Sequence, residues 1–196
     1  MTGNTRIPAT EITGVYGAVV KVAVRRMIGE VPDSVGVMWH SPKVFKDLMS
    51  IGMKSEKWDA LDPNLASLAR MSAAAEVGCS FCLDYNYFVA HSKGLDVEKA
   101  REVPRWRESD AFTPLERNVM EYAAAMCQTP PAVTDDLSDT LLNELGPAAL
   151  LELAAKVALM NATARMNISL GIRSEHYADA CGLPPLAARS AVSDAA

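Results

Sequence analysis

The sequence has little of what several classes of binding protein require. Its 19 basic residues are mixed with 24 acidic ones, and lysine and arginine form no cluster of the kind that a phosphate backbone needs, so we expect no nucleic-acid binding. No glycine-rich phosphate loop is present, which excludes a nucleotide cofactor held in that way. The four cysteines and three histidines include one close pair only. A closed zinc site needs four such ligands, so a metal is not expected.

Long uninterrupted apolar runs are also missing. Lys21 interrupts residues 15–28, and Glu152 and Lys156 interrupt residues 148–160, so we expect no membrane-spanning segment and no membrane partner. The second stretch instead predicts a core helix with one solvated edge. No basic segment followed by an apolar one opens the chain, so a secretion signal is not expected. These absences favour the cytoplasm, where thiols are kept reduced.

Strand signals are absent as well, because no alternating run of β-branched residues is bounded by a hairpin turn. Alanine and leucine dominate the periodic segments, which favours helices. Three helix starts carry a capping residue before a proline: Ser41-Pro42, Asp62-Pro63 and Thr113-Pro114. Glu116 adds a capping box at the third start, and that helix should end near Gln128. We therefore predict an all-α fold.

Periodicity and stop signals place the other helices. They are predicted over Ile12–Ile28, Pro63–Val77, Ser80–Ser92, Val97–Val103, Leu137–Leu145 and Ala148–Leu170. Two alanine-rich segments that run into polar residues, 73–86 and 154–167, indicate two related helical halves. We expect one domain over residues 1–196, with a helical extension over about 1–34 and a frayed end over about 190–196.

The chemistry of the chain is concentrated at Cys79 and Cys82. Two thiols one helical turn apart can close a disulfide or hold a soft metal. Gly78 breaks the preceding helix, so Cys79 is expected at the positive end of the next one, where the pKa of a thiol is lowered. In a reducing compartment such a pair is more often catalytic than structural, although two inert core cysteines are an alternative. The redox hypothesis requires sulfurs that are close enough to bond and reachable by solvent.

Helical phase selects the residues that could assist these thiols. A residue four positions further along a helix is rotated by about 40°, and one nine positions further by about 180°. Asn86 and Tyr85 therefore share the face of Cys82, whereas His91 does not. Histidine is the usual proton shuttle near neutral pH, but we interpret His91 as a surface residue at a helix end.

Polar residues outside that face are further candidates. Glu76 lies three residues before the first thiol and could exchange a proton with it if the chain turns sharply between them. Asp84 is expected to partner a cation, for which Arg165 is the candidate. Asn161, Arg165 and Ser169 are spaced by four on one face of an apolar helix, where polar groups are paired or line a cavity. We favour a buried structural network there over contact with a substrate.

An ordered series of motifs runs through residues 35–180. It consists of Leu61-Asp62-Pro63, Gly78-Cys79-Ser80-Phe81-Cys82, Gly94-Leu95-Asp96, Leu115-Glu116-Arg117, Asn161 to Arg165 and Leu170-Gly171-Ile172. This series resembles the carboxymuconolactone decarboxylase and alkylhydroperoxidase D-like family. The resemblance implies an all-helical fold that assembles as a homo-oligomer, usually a trimer or a hexamer.

The resemblance also implies a chemistry. The branch of the family that has the cysteine pair reduces peroxides or exchanges disulfides, with Cys82 attacking, Cys79 resolving and an external dithiol as electron donor. No metal, flavin or nucleotide cofactor is implied. That branch carries a histidine four residues after the second cysteine and a glutamate twelve before the first, where this chain has Asn86 and Ser67. The residues that would have to replace this proton relay are Glu76, Tyr85, Asp84 or His91.

The sequence therefore favours a thiol-dependent peroxidase or disulfide oxidoreductase that acts on a small hydroperoxide. Two alternatives stay open. One is a lyase of the decarboxylase type, which would use the same helical pocket without the thiols. The other is a non-catalytic oligomeric binding protein in which the two cysteines only pack.

Overall fold

The computed structural model describes residues 5–188. Within that range the chain is helical and contains no strand, which confirms the predicted all-α fold. The helices are α1 Gly14–Ile28, α2 Asp33–Met38, α3 Pro42–Ser55, α4 Pro63–Val77, α5 Ser80–Ser92, α6 Val97–Arg101, α7 Pro114–Cys127, α8 Asp135–Leu170 and α9 Tyr177–Ala180. A 3-10 helix over Val103–Arg105 lies between α6 and α7. The end that we expect to fray, from about residue 190, lies outside the described residues.

Two of the three predicted helix caps are confirmed. The Asp62 carboxylate accepts hydrogen bonds from two first-turn backbone N–H groups of α4. Thr113 and Glu116 form the predicted capping box of α7, in which each side chain accepts a hydrogen bond from the other residue's backbone N–H. Helix α3 begins after Ser41 as predicted, but the Ser41 side chain makes no capping hydrogen bond. A side-chain cap stabilises a helix by about 1 kcal/mol, so the starts of α4 and α7 are the better anchored ones.

The other helix boundaries differ from the prediction by a few residues. Helix α1 begins slightly later, at Gly14, and α6 ends slightly earlier, at Arg101. The helices predicted over Leu137–Leu145 and Ala148–Leu170 are the two arms of α8, which is broken at Gly146, where φ is +78°. The sequence does not predict α2 and α9, because six and four residues are too few to show a helical period.

Helix α4 is the centre of the fold, because it packs against α5, α7 and α8. It has no solvent-facing side over its middle turns, where Leu68, Ala69, Met71 and Ala73 are fully buried. One core cluster joins α4 to α7 and α8 and includes Ala69, Ala73, Val119, Ala123, Leu153 and Val157. A second cluster lies towards α5 and α6 and includes Leu68, Met71, Tyr87, Ala100, Val103 and Met120. The two cysteines of interest follow directly on the end of this central helix.

Helix α8 is long and apolar enough to cross a membrane by length and composition alone. In the structure it packs against α4 and α7 and carries a buried ion pair between Glu152 and Lys156, with 3.3 Å between nitrogen and oxygen. Glu152 also accepts a hydrogen bond from the backbone N–H of Ala60 at 2.8 Å, and Lys156 donates to the carbonyl of Ser55 at 2.6 Å. The predicted solvated edge is therefore wrong, because the chain between α3 and α4 folds over it. One face of α8 is therefore packed into the core, whereas Leu151 on another face is 72% exposed.

The chain after α8 folds back over α5. The backbone N–H of Ser174 donates to the hydroxyl of Ser80 at 3.2 Å, and the hydroxyl of Tyr87 donates to the carbonyl of Pro184 at 3.0 Å. These contacts attach the C-terminal segment to the first half of α5, from Ser80 to Tyr87. The helix that contains the second cysteine is thus held between the central helix and this segment.

The relation between the two proposed helical halves stays a prediction, as does the expected single-domain organisation. The two alanine-rich segments differ locally. Residues 73–86 contain the break between α4 and α5, whereas residues 154–167 lie within one uninterrupted arm of α8. Helices α5 and α8 nevertheless contact each other, through Asn86 with Met160 and through Asn167 with Cys82.

Candidate functional site

The cysteine pair, Cys79 and Cys82, is positioned by a sharp break between α4 and α5. Gly78 ends α4 with φ at +80°, a left-handed conformation that favours glycine. The backbone N–H groups of Gly78 and Cys79 both donate a hydrogen bond to the carbonyl of Ala74, at 3.1 and 3.0 Å. Cys79 is consequently the N-cap residue of α5. The predicted helix break and the place of the first cysteine at a helix start are both confirmed.

The two sulfurs face each other and are joined in a disulfide, with 5.3 Å between the Cα atoms. The backbone N–H of Cys82 donates to the Cys79 sulfur at 3.2 Å, so this sulfur takes the place of a capping oxygen. Partial positive charge at the start of α5 acts on the same atom. When the bond is reduced, these two effects stabilise a thiolate at Cys79.

The Cys82 sulfur has a donor of its own. The side-chain amide of Asn167, which lies on α8, is 3.4 Å from this sulfur. Asn167 and Cys82 are each only 2% exposed, so the contact is made away from water. Asn167 is not among the site residues predicted from the sequence, because helical phase along α5 selects residues of α5 only. The sole signal is its place at the end of the polar residues that close the segment 154–167.

The pair is shielded in this conformation. Cys79 is 1% and Cys82 2% exposed, and the side chains of Ala74, Ala164 and Met160 pack around them. Of the two requirements of the redox hypothesis, the bonding distance is met and direct contact with solvent is not. The reason is that α8 passes directly over the start of α5 and covers both sulfurs.

A cavity of about 230 Å³ lies on the neighbouring face of α5, and we call it the α5 cavity. It is lined by Ser80, which stands between the two cysteines in the chain, and by Asp84 and Ser174. Leu83 lines the α5 cavity and also packs against the cluster that contains both cysteines. Leu83 is therefore shared between the lining of this cavity and the packing around the buried pair.

Asn86 and Ser67 occupy the positions at which the family has its proton relay. The amide of Asn86 donates to the carbonyl of Cys82 at 2.7 Å and lies 3.9 Å from the Met160 sulfur. The hydroxyl of Ser67 donates to the carbonyl of Pro63 at 2.9 Å. Both side chains are bonded within their own helices and neither titrates near neutral pH, so they do not form a proton relay.

Glu76 lies on the side of α4 opposite to Ala74, the residue that packs on the cysteine pair. Its carboxylate lies 4.0 Å from the guanidinium of Arg107. Burial, and secondly the negative charge of Glu76, raises the pKa of Cys127 to about 11. The reason for the placement of Glu76 is the helical phase of α4, in which it is rotated by about 200° from Ala74.

The predicted pairing of Asp84 with Arg165 is wrong. The buried carboxylate of Asp84 accepts hydrogen bonds from the hydroxyl of Ser174 at 2.8 Å and from the backbone N–H groups of Tyr177 and Ala178, each at 3.0 Å. Asp84 points towards the C-terminal segment, and its partners there are neutral donors. Its function in the fold is to hold this segment against α5.

Arg165 and Asn161 form the structural network that we favoured from the sequence. The guanidinium of Arg165 donates to the side chain of Asn161 at 2.8 Å and to the carbonyl of Cys127 at 2.7 Å. The amide of Asn161 lies 3.5 Å from the carbonyl of Met126. The network binds carbonyl groups at the C-terminal end of α7. We expected a buried network, but Arg165 is exposed. Ser169 does not join it, because its hydroxyl donates within its own helix.

Tyr85 and His91 lie away from the sulfurs. The ring of Tyr85 stacks on Phe81 and meets the edge of Tyr177, with centroids 6.2 and 5.9 Å apart. Burial, with a smaller effect from the charge of Glu56, raises the pKa of Tyr85 above its ordinary value. His91 is exposed on the last turn of α5, as interpreted from the sequence. Within residues 5–188, no group of three or more histidine, cysteine and acidic side chains is placed to hold a metal ion.

The site therefore offers reversible thiol and disulfide chemistry in a dry environment. Each sulfur has one N–H donor, the backbone of Cys82 for Cys79 and the amide of Asn167 for Cys82. Such donors favour the ionised form of a thiol, which is the nucleophilic form.

Comparison with known proteins agrees with the resemblance seen in the motifs. The sequence model of the carboxymuconolactone decarboxylase family matches residues 42–125. The uncharacterized protein YnjA of Escherichia coli strain K12 is 33% identical over 152 residues, which cover 77% of this chain and 84% of the relative. The matched family region includes α4, the cysteine pair and α5.

Several solved structures share the fold. A variant of the debrominase Bmp8 in complex with 2,3,4-tribromopyrrole superposes with a TM-score of 0.78 at 17% identity, over 92% of this chain and 97% of that chain. The alkylhydroperoxidase AhpD core of an uncharacterized peroxidase-related protein from Ralstonia eutropha JMP134 also gives 0.78 at 17% identity, over 90% and 96% of the two chains. At this level of identity the likeness establishes the fold.

Proposed function

Because this chain belongs to the carboxymuconolactone decarboxylase family and has the alkylhydroperoxidase D-like fold, we propose that it is a thiol-dependent oxidoreductase that reduces small hydroperoxides. The family and the fold neighbours include decarboxylase, peroxidase-related and debrominase proteins, which are enzymes. The observation that carries the proposal is the bonded cysteine pair at the start of α5, in which each sulfur faces an N–H donor.

The proposed cycle begins with both thiols reduced. The thiolate of Cys82 attacks the terminal oxygen of the hydroperoxide, the O–O bond breaks, and the alcohol leaves after taking up a proton. Cys82 is then a sulfenic acid. Cys79 attacks the Cys82 sulfur and its hydroxyl leaves as water, which closes the disulfide. An external dithiol restores the pair by two exchange steps and is itself oxidised to a disulfide.

The assignment of Cys82 as the attacking residue is supported by its contact with Asn167. Charge at the helix start favours the Cys79 thiolate, which by itself would make Cys79 the more acidic thiol. The amide of Asn167 supplies a separate donor that stabilises negative charge on Cys82. A stabilised thiolate at Cys79 in turn suits the resolving step and the later exchange with a dithiol, because a more acidic thiol is the better leaving group.

Proton transfer in this proposal goes through water. The relay positions hold Ser67 and Asn86, which cannot supply a proton near neutral pH, and the carboxylate of Asp84 is engaged by the C-terminal segment. Leu83 lines the α5 cavity and packs on the cluster around the pair, so movement of this side chain is the route that we propose for solvent and peroxide. We therefore propose a peroxidase that is slower than the members of the family with a complete relay.

The test is the rate of hydroperoxide consumption by the reduced protein with a dithiol donor. Cys82→Ser should abolish turnover, whereas Cys181→Ser, which changes an exposed cysteine outside the pair, should leave it unchanged. Hydrogen peroxide and cumene hydroperoxide are the first substrates, and 2,3,4-tribromopyrrole is included because a debrominase shares the fold. Unchanged peroxide consumption by Cys82→Ser would refute the proposal.

A further inference from the structure

A second cavity, also of about 230 Å³, lies beside the loop between α3 and α4, and we call it the basic cavity. Four cationic side chains line it: Arg70 from α4, Lys93 just after the end of α5, Lys156 from α8 and Lys57 from the loop. The carboxylates of Glu56 and Asp59 also line it. Trp58 and Leu61 supply an apolar wall. The combination of fixed positive charge and apolar surface is typical of a site for a small amphipathic anion.

The basic cavity is built from the same three helices as the cysteine pair. Arg70 lies four residues before Ala74, and Lys156 lies four residues before Met160, so each cation is one helical turn, about 6 Å, from a residue that packs on the cysteines. None of the residues that line the basic cavity also lines the α5 cavity or belongs to the cluster around the cysteines. The basic cavity is thus a separate site.

A carboxylate already occupies the mouth of the basic cavity. Glu56, whose side chain is 41% exposed, forms ion pairs with both Arg70 and Lys93. Burial alone would raise the pKa of Glu56, but the hydrogen bond and charge of Lys93 and those of Arg70 outweigh it and lower the pKa below its ordinary value. A carboxylate group therefore fits between these two cations, and this one is attached to a side chain that reaches solvent.

Two of the cations, Arg70 and Lys156, are also largely buried, with side chains 11% and 5% exposed. The Nε atom of Arg70 is buried without a hydrogen-bond partner among the described residues. The ammonium of Lys156 has three donors, and its contacts are the carbonyl of Ser55 and the carboxylate of Glu152. Its nitrogen also lies 5.4 Å from the centre of the Trp58 ring. Buried cationic donors of this kind are costly unless a ligand or a structural partner engages them.

We propose that the basic cavity binds the carboxylate of a small organic acid. The carboxylate takes the place of the Glu56 side chain between Arg70 and Lys93, and the apolar part of the acid packs against Trp58 and Leu61. A volume of about 230 Å³ is below the range of about 300–1,000 Å³ that drug-sized ligands fill, so the ligand is small. Glu56 acts as an internal competitor that keeps the cations paired when the site has no ligand.

The experiment is a calorimetric titration of the oxidised protein with benzoate, and with benzyl alcohol as the neutral comparison. Benzoate should bind at least tenfold more tightly than benzyl alcohol. Glu56→Gln should tighten benzoate binding severalfold, because it removes the competing carboxylate. Arg70→Gln and Lys93→Gln should weaken it at least tenfold, and Lys93 is exposed enough that its change leaves the fold intact. The control Lys43→Gln, an exposed lysine on α3, should leave binding unchanged.

Two results would overturn the assignment. One is the absence of saturable benzoate binding to both the wild-type protein and Glu56→Gln. The other is equal benzoate affinity in Lys93→Gln and Lys43→Gln. The titration involves no turnover, so its outcome is independent of whether the cysteine pair reduces peroxides.

Discussion

The side-chain amide of Asn167 donates to the sulfur of Cys82 across 3.4 Å, from α8 to α5. It links α8 to the second cysteine at a buried position, where a hydrogen bond to a charged group is strong. The thiolate of Cys82 thereby has a donor that does not depend on the start of α5. Several consequences of this arrangement and of its surroundings can be measured.

Asn167→Ala should make Cys82 less reactive. Loss of the amide removes a hydrogen bond to the thiolate, which is worth about 1.5–3 kcal/mol for a charged group. The pH at which Cys82 of the reduced protein becomes reactive should therefore shift upwards. The pH dependence of Cys82 alkylation, followed by peptide mass spectrometry, measures this shift. Asn143→Ala, at an exposed position on the same helix, is the control, and an equal pH profile in the two variants would contradict the prediction.

Cys127 should resist alkylation in the native protein. Burial, and secondly the charge of Glu76, raise its pKa to about 11, so at pH 8 only about one molecule in a thousand carries the thiolate. Iodoacetamide should modify the exposed Cys181 and leave Cys127 unmodified, and the reaction of Cys127 should increase as the pH rises towards 11. Equal labelling of both cysteines at pH 8 would show that this part of the core is open.

Asp84→Asn should loosen the C-terminal segment. The carboxylate accepts three hydrogen bonds from Ser174, Tyr177 and Ala178, and an amide cannot accept all of them. We expect the free energy of unfolding to fall by about 1–3 kcal/mol, the usual effect of leaving a buried polar group without its partner. Urea denaturation measures the change. Asp47→Asn, at an exposed position on α3, should stay within about 0.5 kcal/mol of the wild type.

Glu116 should contribute stability that is lost in acid. Burial alone would raise its pKa, but the backbone N–H of Thr113 and the side chain of Lys99 lower it below the ordinary 4.5. Because the folded pKa is the lower one, the contribution is fully present above the unfolded value of about 4.5 and disappears as the pH falls through the folded value. Glu116→Gln should therefore cost about 1 kcal/mol near pH 7 and progressively less below pH 4.5. A cost that grows in acid would contradict this sign.

Local signals in the sequence predict most of the helices. Asp62-Pro63 and Thr113 with Glu116 mark helix starts through contacts within one turn, and Gly78 marks the break that sets Cys79 at the start of α5. Such contacts join residues that are close in the chain. They can be inferred without knowing how the helices pack.

The sequence alone does not predict the contacts that polar side chains make between helices. Asn167 meets Cys82 across 85 positions, and Asp84 meets the C-terminal segment across about 90, so neither contact follows from helical phase. Glu152 looks like a solvated residue by its spacing from Lys156, and only the fold of the α3–α4 loop makes it buried. Each error concerns a polar side chain whose partner lies on another element.

The most direct test of the central claim is peptide mass spectrometry of the reduced native protein before and after one equivalent of cumene hydroperoxide. We predict that the tryptic peptide over residues 71–93 loses two hydrogens as Cys79 and Cys82 form their disulfide, and that a dithiol restores its mass. The peptide that contains Cys127 should not change. If the hydroperoxide is consumed while both thiols of the 71–93 peptide stay reduced, or if it is not consumed at all, the pair does not perform the proposed chemistry.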